Sequence, residues 1–483
     1  MEIKVYQSHI EVYPYEQGDC PALEKMLSKR VKVTARYFEI VPVAFYIEND
    51  TLYLPRGINS SLLEGYFHTP PIPVTKADPY LKFKSGKALL PPLSRMQQEG
   101  IDFLTANGDF AYTGWYSQLG LNLATGDGKT YGTICAILQL KIRAIIITHQ
   151  EKLKKQWIDA FKTKTTFDMD RFCDIDGSHI MEDIMDGKID ADIFCVNQQT
   201  IASFARKYGW LQVREFFKKI KVGIKVIDES HKFFENSLMI DYFSNCYKSI
   251  YATATFGRST SSENTIYKRA YQSLTRFGEE TINYEEKRKH IIFTGCYFNS
   301  HPEYGVLPNL KVRGYFSSYK YIDYELEDEP HKVLLKVLRK ILDVSLENTD
   351  GKILVLSPKI STVEFFANYI EEYTGIKTSY IHSRISDEDI EEAKKARIIS
   401  STIKSVGEGF DNKGLQVLIL LEPIGSTILM DQVIGRLREY KPDKDTYVFY
   451  PMDMTIPDVI RLFNKSSKPL TKKCKQINFK RLD

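Results

Sequence analysis

Two short stretches carry side chains able to handle a phosphoanhydride. The first, "LNLATGDGKTYGTICAIL" (121–138), sets Gly126, Gly128, Lys129 and Thr130 between an apolar strand and a helix-like run. Successive backbone N–H groups at a helix N-terminus converge on an anion. The glycines permit that path, Lys129 can reach the β and γ phosphates, and Thr130 can ligate Mg²⁺. The usual loop has a glycine six residues before the lysine, where this chain has Leu123. The second stretch, "VGIKVIDESH" (222–231), ends an apolar strand in Asp228-Glu229. One carboxylate at a strand tip can hold the Mg²⁺ shell, and the next can polarise the attacking water. An acidic pair at a strand end is ordinarily a solvated turn. Roughly 100 residues after a phosphate loop, it reads instead as the second half of a nucleotide site.

Such a site needs a sheet to hold it. From about residue 93, short apolar strands alternate with amphipathic helices: "GLNL", "AIIIT", "DIFCVN", "VGIKVID" and "SIYATA", then "GKILVLS", "TSYIHS", "ARIISS", "QVLILLE" and "TYVFYP". Runs apolar on both faces suit parallel strands covered by helices on each side. The expected organisation is two consecutive α/β lobes, 93–305 and 306–462. Residues 1–67 read as a small α/β module: a strand in "EIKVYQSHIEVY", a helix in "DCPALEKMLSKR" with Asp19 as N-cap, and a hairpin from "RYFEIVPVAFYI" to "TLYLP". Six of the 19 prolines fall in 68–92, which marks a linker. The last stretch, 463–483, reads as a basic tail with seven cations against Asp483. It suits contact with phosphates and a solvated end about equally.

Composition narrows the class. With 43% hydrophobic and 27% charged residues, the chain reads as globular, and its longest apolar runs are too short to span a bilayer. The start has no signal-peptide layout, so an intracellular setting is expected: host cytoplasm, or a bacterial cell if phage-encoded. Seven scattered cysteines form no Cys-x-x-Cys pair and are expected to be buried thiols. A net charge of +4 does not by itself argue for nucleic acid.

In order and with family-like spacing, "ATGDGKT", "DESH", "TAT" (253–255) and "QVIGRLR" (432–438) resemble the motifs of superfamily 2 helicases and translocases. The resemblance covers about residues 93–450. It implies two tandem RecA-like parallel-sheet lobes, ATP and Mg²⁺ as cofactors, and a nucleic-acid partner bound without sequence preference. The first loop position is often alanine in that superfamily, so the missing glycine is no objection, although leucine is less usual. Carried over residue by residue, the loop Thr125, Gly126, Asp127, Gly128, Lys129 and Thr130 binds ATP, with Asp411 from "SSTIKSVGEGFD". Lys129, Asp228 and Glu229 are catalytic, and Thr130 and Asp228 hold the metal. Gln97 in "LSRMQQEGIDFL" is the candidate adenine reader, ahead of Arg95. Thr253, Thr255, Thr402, Gly409 and Gln432 couple nucleotide to nucleic acid. "AIIITHQEKLKKQW" resembles a backbone-contacting segment that includes Gln156-Trp157, but Trp157 reads better as a core aromatic.

The family's last motif ends Gly-Arg-x-x-Arg; here Arg438 comes one residue early and Glu439 takes the expected place. If "DQVIGRLREY" is helical throughout, Gln432 and Arg436 share a face, while Arg438 lies about 200° beyond Arg436. Arg436 is therefore assigned the γ-phosphate, with Arg438 the second candidate. The short motifs and "GRLREY" look most like phage recombination helicases of the UvsW type and their XPB-like and poxvirus relatives. That likeness implies a DNA translocase acting on forks, Holliday junctions and R-loops. The alternatives are an RNA helicase or transcript-release factor of the same superfamily, a regulatory ATP-binding module, and the translocase subunit of a restriction complex, for which no acidic-lysine nuclease cluster is visible. On this reading the module 1–67 binds DNA, and a chain starting near residue 88 keeps basal ATP hydrolysis.

Overall fold

The computed structural model describes residues 1–32, 38–74, 77, 80–84, 86–92, 94–123, 128–230, 232–253, 261–278, 289–300, 307–327, 332–407, 414–437, 440–441 and 444–482. The chain divides into two compact units, Met1–Ile282 and Asn283–Asp483.

The first unit begins with strands β1 (Glu2–Val5), β2 (His9–Tyr13), β3 (Ser28–Lys32), β4 (Phe38–Pro42), β5 (Tyr46–Glu48), β6 (Thr51–Pro55) and β7 (Ile72–Pro73). They form a sheet in the order β5-β6-β2-β1-β7 and a separate antiparallel ribbon, β3–β4. Local pairing differs from the expectation in three places. "EIKVYQSHIEVY" is two strands turned back on each other, β1 and β2. The helix covers only Pro21–Met26 and its N-cap is Cys20. The expected hairpin onto "TLYLP" is made by Tyr46–Glu48 alone, while "FEIVP" pairs backwards with "SKRVK". Val31, Phe38, Ile40 and Val41 suit an extended ribbon better than a longer helix.

The expected linker is strapped down as well. β7 pairs in parallel with β1, and single bridges join Lys82 to Ile142 and Ala88 to Thr165. Tyr131 Oη donates to the Leu90 carbonyl at 2.6 Å. Proline-rich chain is extended, so it can add isolated sheet contacts without forming a regular strand.

Lobe 1 is a seven-stranded sheet, ordered β10-β11-β9-β12-β13-β8-β14 and parallel throughout. Its strands are β8 (Gln118–Asn122), β9 (Ala144–Thr148), β10 (Phe172–Ile175), β11 (Ile193–Asn197), β12 (Ile224–Asp228), β13 (Lys248–Thr253) and β14 (Thr275–Phe277). The five runs read as strands are β8, β9, β11, β12 and β13. Alternate residues feed two cores. Leu121, Ile146, Val226 and Ile250 pack on one face, and Ile145, Ile147, Ile227 and Tyr251 on the other. The second core does not stop at the lobe. It runs on through Ile3, Ile10, Val12, Tyr53 and Leu54 of the N-terminal sheet. Arg214 of lobe 1 also pairs with Glu11 at 2.7 Å. At Gly57, whose N–H donates to the Ala270 carbonyl, a Cβ would lie 2.2 Å from that oxygen. The module and lobe 1 thus share one core and form one compact unit rather than two separate domains.

The second unit is another parallel sheet, β19-β20-β18-β21-β22-β15-β23. It contains β15 (Ile291–Phe298), β18 (Lys352–Ser357), β19 (Thr378–Ile381), β20 (Ile398–Thr402), β21 (Leu415–Leu420), β22 (Thr446–Asp453) and β23 (Cys474–Arg481), with a small hairpin of β16 (Lys311–Val312) and β17 (Tyr315–Phe316). β15 lies in the stretch expected to close lobe 1 but pairs with β22 and β23. The stretch read as a basic tail holds the end of helix Pro457–Ser466, helix Lys468–Lys473 and the edge strand β23. Lysines on an edge strand keep its open hydrogen-bonding groups from pairing with another chain. Phe479 of this strand lies over Gly295, where a Cβ would sit 2.6 Å from its ring.

All seven cysteines are free and buried. Among the described residues no helix is long and apolar enough to cross a membrane.

Candidate active site

Parallel strands bring their C-terminal ends to one edge of lobe 1. Register pairs Asp228 with Ala252 and Thr253 with Asn122, so the ends of β12, β13 and β8 lie side by side. Leu123, at the position where glycine is usual, is buried in the core between the sheet and helix Arg95–Thr105. It is the last core residue before the loop, which explains an apolar side chain there. Residues 124–127, including Thr125, Gly126 and Asp127, lie outside the described residues.

The loop's far end is built tightly. Gly128 has φ +79 and caps helix Lys129–Leu140. A Cβ there would fall 2.1 Å from Gln97 Nε2, so both the backbone angle and the space require glycine. Gln97 is fully buried in the first turn of helix Arg95–Thr105, whose N-cap Ser94 accepts from its N–H. Its Nε2 donates to the Gly128 carbonyl at 2.8 Å. Gln97 therefore braces the loop from beneath. Arg95, by contrast, is 89% exposed and pairs with Glu99 one turn along its own helix.

Lys129 Nζ stands 3.3 Å from Glu229 Oε1, joining the two sequence motifs. Glu229 has φ +50. A non-glycine residue held in that region costs about 1–3 kcal/mol, a strain that recurs at functional sites. Its N–H donates to Asp228 Oδ1 at 3.0 Å. The other Asp228 oxygen, Oδ2, accepts from Trp157 Nε1 at 2.8 Å. Burial pushes the Asp228 carboxyl up to about 6, and the neighbouring Glu229 adds to the rise. The hydrogen bond from Trp157 opposes it, as do Lys129 and His149. Trp157 is buried, as its core reading requires, and also anchors the candidate metal carboxylate. Spacing alone gave no sign of that second role, because Trp157 and Asp228 are joined only when β9 and β12 pair.

The donor set fits Mg²⁺ and a triphosphate: hard oxygens on Thr130 and Asp228, a lysine ammonium, and a helix N-terminus entered through Gly128 in the left-handed region. Mg²⁺ bound with ATP would supply charge neutralisation at the phosphates.

In the second unit, Thr402 ends β20 and caps the following short helix, accepting from Ser405 N–H at 3.2 Å. Gln432 is buried in helix Thr427–Ile434. That helix stops at Gly435. Arg436 N–H bonds back to Val433 and Leu437 N–H to Ile434, three residues each, so the last turn is tightened. The expectation of one continuous helix through "DQVIGRLREY" is therefore corrected: Arg436 sits in a turn past the helix end. Thr255, Gly409, Asp411 and Arg438 lie outside the described residues.

Comparison with known proteins agrees with this architecture. Residues 92–258 match the family described as type III restriction enzyme, res subunit, and residues 333–440 match the helicase conserved C-terminal domain. Transcript termination protein A18 of Yaba monkey tumor virus is 23% identical over 384 residues, 75% of this chain and 73% of that protein. The Saccharomyces cerevisiae Dbp5 structure with RNA and ADP BeF3 is 13% identical and covers 81% of this chain and 90% of its own, with a TM-score of 0.52. The T4 UvsW structure aligns over 100% of both chains at 15% identity, but its TM-score of 0.37 carries no argument. Matched in order on two parallel-sheet units, these are the paired domains of superfamily 2 helicases, and they imply ATP hydrolysis coupled to nucleic acid.

Proposed function

We propose that this enzyme is a DNA translocase that unwinds or remodels branched DNA, such as forks, Holliday junctions and R-loops, in recombination, repair and replication restart. Lys129 neutralises the transferring phosphoryl group, Thr130 and Asp228 hold Mg²⁺, and Glu229 polarises the attacking water. Gln97, the loop through Gly128, and Asp411 hold the nucleotide. Arg436 supplies charge in the transition state, and Thr253, Thr255, Thr402, Gly409 and Gln432 link hydrolysis to the grip on nucleic acid. One observation carries the branched-DNA reading: the N-terminal sheet shares a core with lobe 1. Strand tracking does not need this addition, and its rigid attachment lets it hold a second arm of a junction at fixed geometry. A second reading, action on a transcript, is favoured by the relative named for transcript termination.

ATP hydrolysis measured with single-stranded DNA, duplex, a Holliday junction and RNA separates them. Strongest stimulation by the junction is expected. Stimulation by RNA alone would sink the DNA reading.

A further inference from the structure

The ribbon β3–β4 is held to lobe 1 through Lys29, and its second strand is largely exposed. Register opposes Arg30 to Ile40 and Lys29 to Val41. Side chains alternate along a strand, so Arg30, Phe38 and Ile40 share one face, and Lys29, Val31, Glu39 and Val41 the other. The second face is tied to lobe 1, where Lys29 Nζ lies 2.9 Å from Glu235 and 3.4 Å from Glu263. On the first face Phe38 is 39% and Ile40 62% exposed. The Arg30 guanidinium lies 4.1 Å from the Phe38 ring centroid. Among the described residues no carboxylate pairs with Arg30. Residues 25–42 hold Lys25, Lys29, Arg30, Lys32 and Arg36 against Glu39. Their net charge of +4 equals that of all 483 residues.

A guanidinium laid over an exposed ring, with no carboxylate paired to it among the described residues, matches the repeating chemistry of a nucleic-acid strand, a phosphate for the cation and a base for the stack. Phe38 and Ile40 offer no hydrogen-bonding group to read base edges in a groove, and stacking needs a base face that a duplex hides. We propose that this face grips an unpaired nucleic-acid strand, with Arg30 on a phosphate and Phe38 stacked on a base. The proposal rests on the reading that the N-terminal module engages nucleic acid, and it assigns that contact to the ribbon.

The test uses the full chain with Arg30→Ala, Arg30→Lys and Phe38→Ala. Fluorescence anisotropy follows binding to a fork with single-stranded arms, to blunt duplex and to single-stranded RNA over a range of salt. Phe38→Ala should weaken fork binding about 5- to 150-fold with the salt slope intact, as loss of one stacked base does. Arg30→Ala should lower the log–log salt slope by about 1, and Arg30→Lys should restore it. Duplex binding and ATP hydrolysis without nucleic acid should stay unchanged. Fork binding unaltered in both alanine variants overturns the proposal, as does a parallel loss of basal hydrolysis, which would make the face structural. If the parent binds RNA and not DNA, the DNA reading falls, and the same variants on RNA decide the ribbon. If it binds neither, both fall.

Discussion

Replacing Trp157 with phenylalanine isolates one hydrogen bond at the candidate metal carboxylate. The indole N–H lies 2.8 Å from Asp228 Oδ2, and both groups are buried. A hydrogen bond to a charged acceptor contributes about 1.5–3 kcal/mol. At about 1.4 kcal/mol per pKa unit, losing it raises the Asp228 carboxyl by about 1–2 units. The free-enzyme titration therefore moves further up from about 6.

Only the ionised carboxylate can hold Mg²⁺, so the consequence appears in the acid limb of kcat/KM for ATP, which reports the free enzyme. The Trp157→Phe profile should shift to higher pH and rejoin the parent's on the alkaline side. Asp228→Asn should instead be depressed at every pH. The smaller ring also costs core packing, so the assay belongs well below the unfolding temperature. An acid limb that stays in place while activity drops uniformly would show that Trp157 acts through packing alone.

Lys129→Ala should abolish hydrolysis, and Glu229→Gln should keep ATP binding while losing turnover; normal turnover in the Glu229 variant would refute the site. Arg436→Ala should lower kcat by about 10³ or more with little change in ATP affinity, and Arg438→Ala should cost much less; a severe loss in Arg438→Ala alone would reverse that assignment. Burial, with Asp453 close by, holds the Glu325 carboxyl well above its ordinary range. The unfolded chain therefore releases that proton first, and stability falls as pH rises from the unfolded value toward the folded one. Glu325→Gln should match the parent in acid and melt higher at neutral pH, whereas a pH-independent difference would exclude the titration. Gly57→Ala should lower the melting temperature of the first unit, because its Cβ would meet backbone rather than a movable side chain; an unchanged melt would mean the module is loosely held.

Much of this was legible because buried parallel strands are short, apolar on both faces and bounded by loops. "AIIIT" and "VLILL" have few other places to go, and both are strands of the two sheets. Gly128, Lys129, Asp228 and Glu229 were expected together for a related reason: phosphate chemistry calls for particular residue types at a strand end, and the structure sets Lys129 beside Glu229. What spacing did not reveal was which sheet a strand joins. "IIFTGCYF" is apolar enough for either unit, and only its pairing with β22 and β23 assigns it to the second.

The same limit explains the misjudged module. Along β1 and β2, Ile3, Ile10 and Val12 look like the core of a small independent domain, and nothing in their alternation says what covers them. In the structure they share a core with Tyr242, Phe243 and the back of lobe 1, and Tyr53 lies 4.8 Å from Phe243, ring to ring. A hydrophobic face is a demand for a partner without an address. Here the address is the sheet that carries Asp228, so the N-terminal ribbon and the hydrolytic edge belong to one folded unit. The ribbon itself joins this unit through Lys29, which bridges to Glu235 and Glu263 of lobe 1.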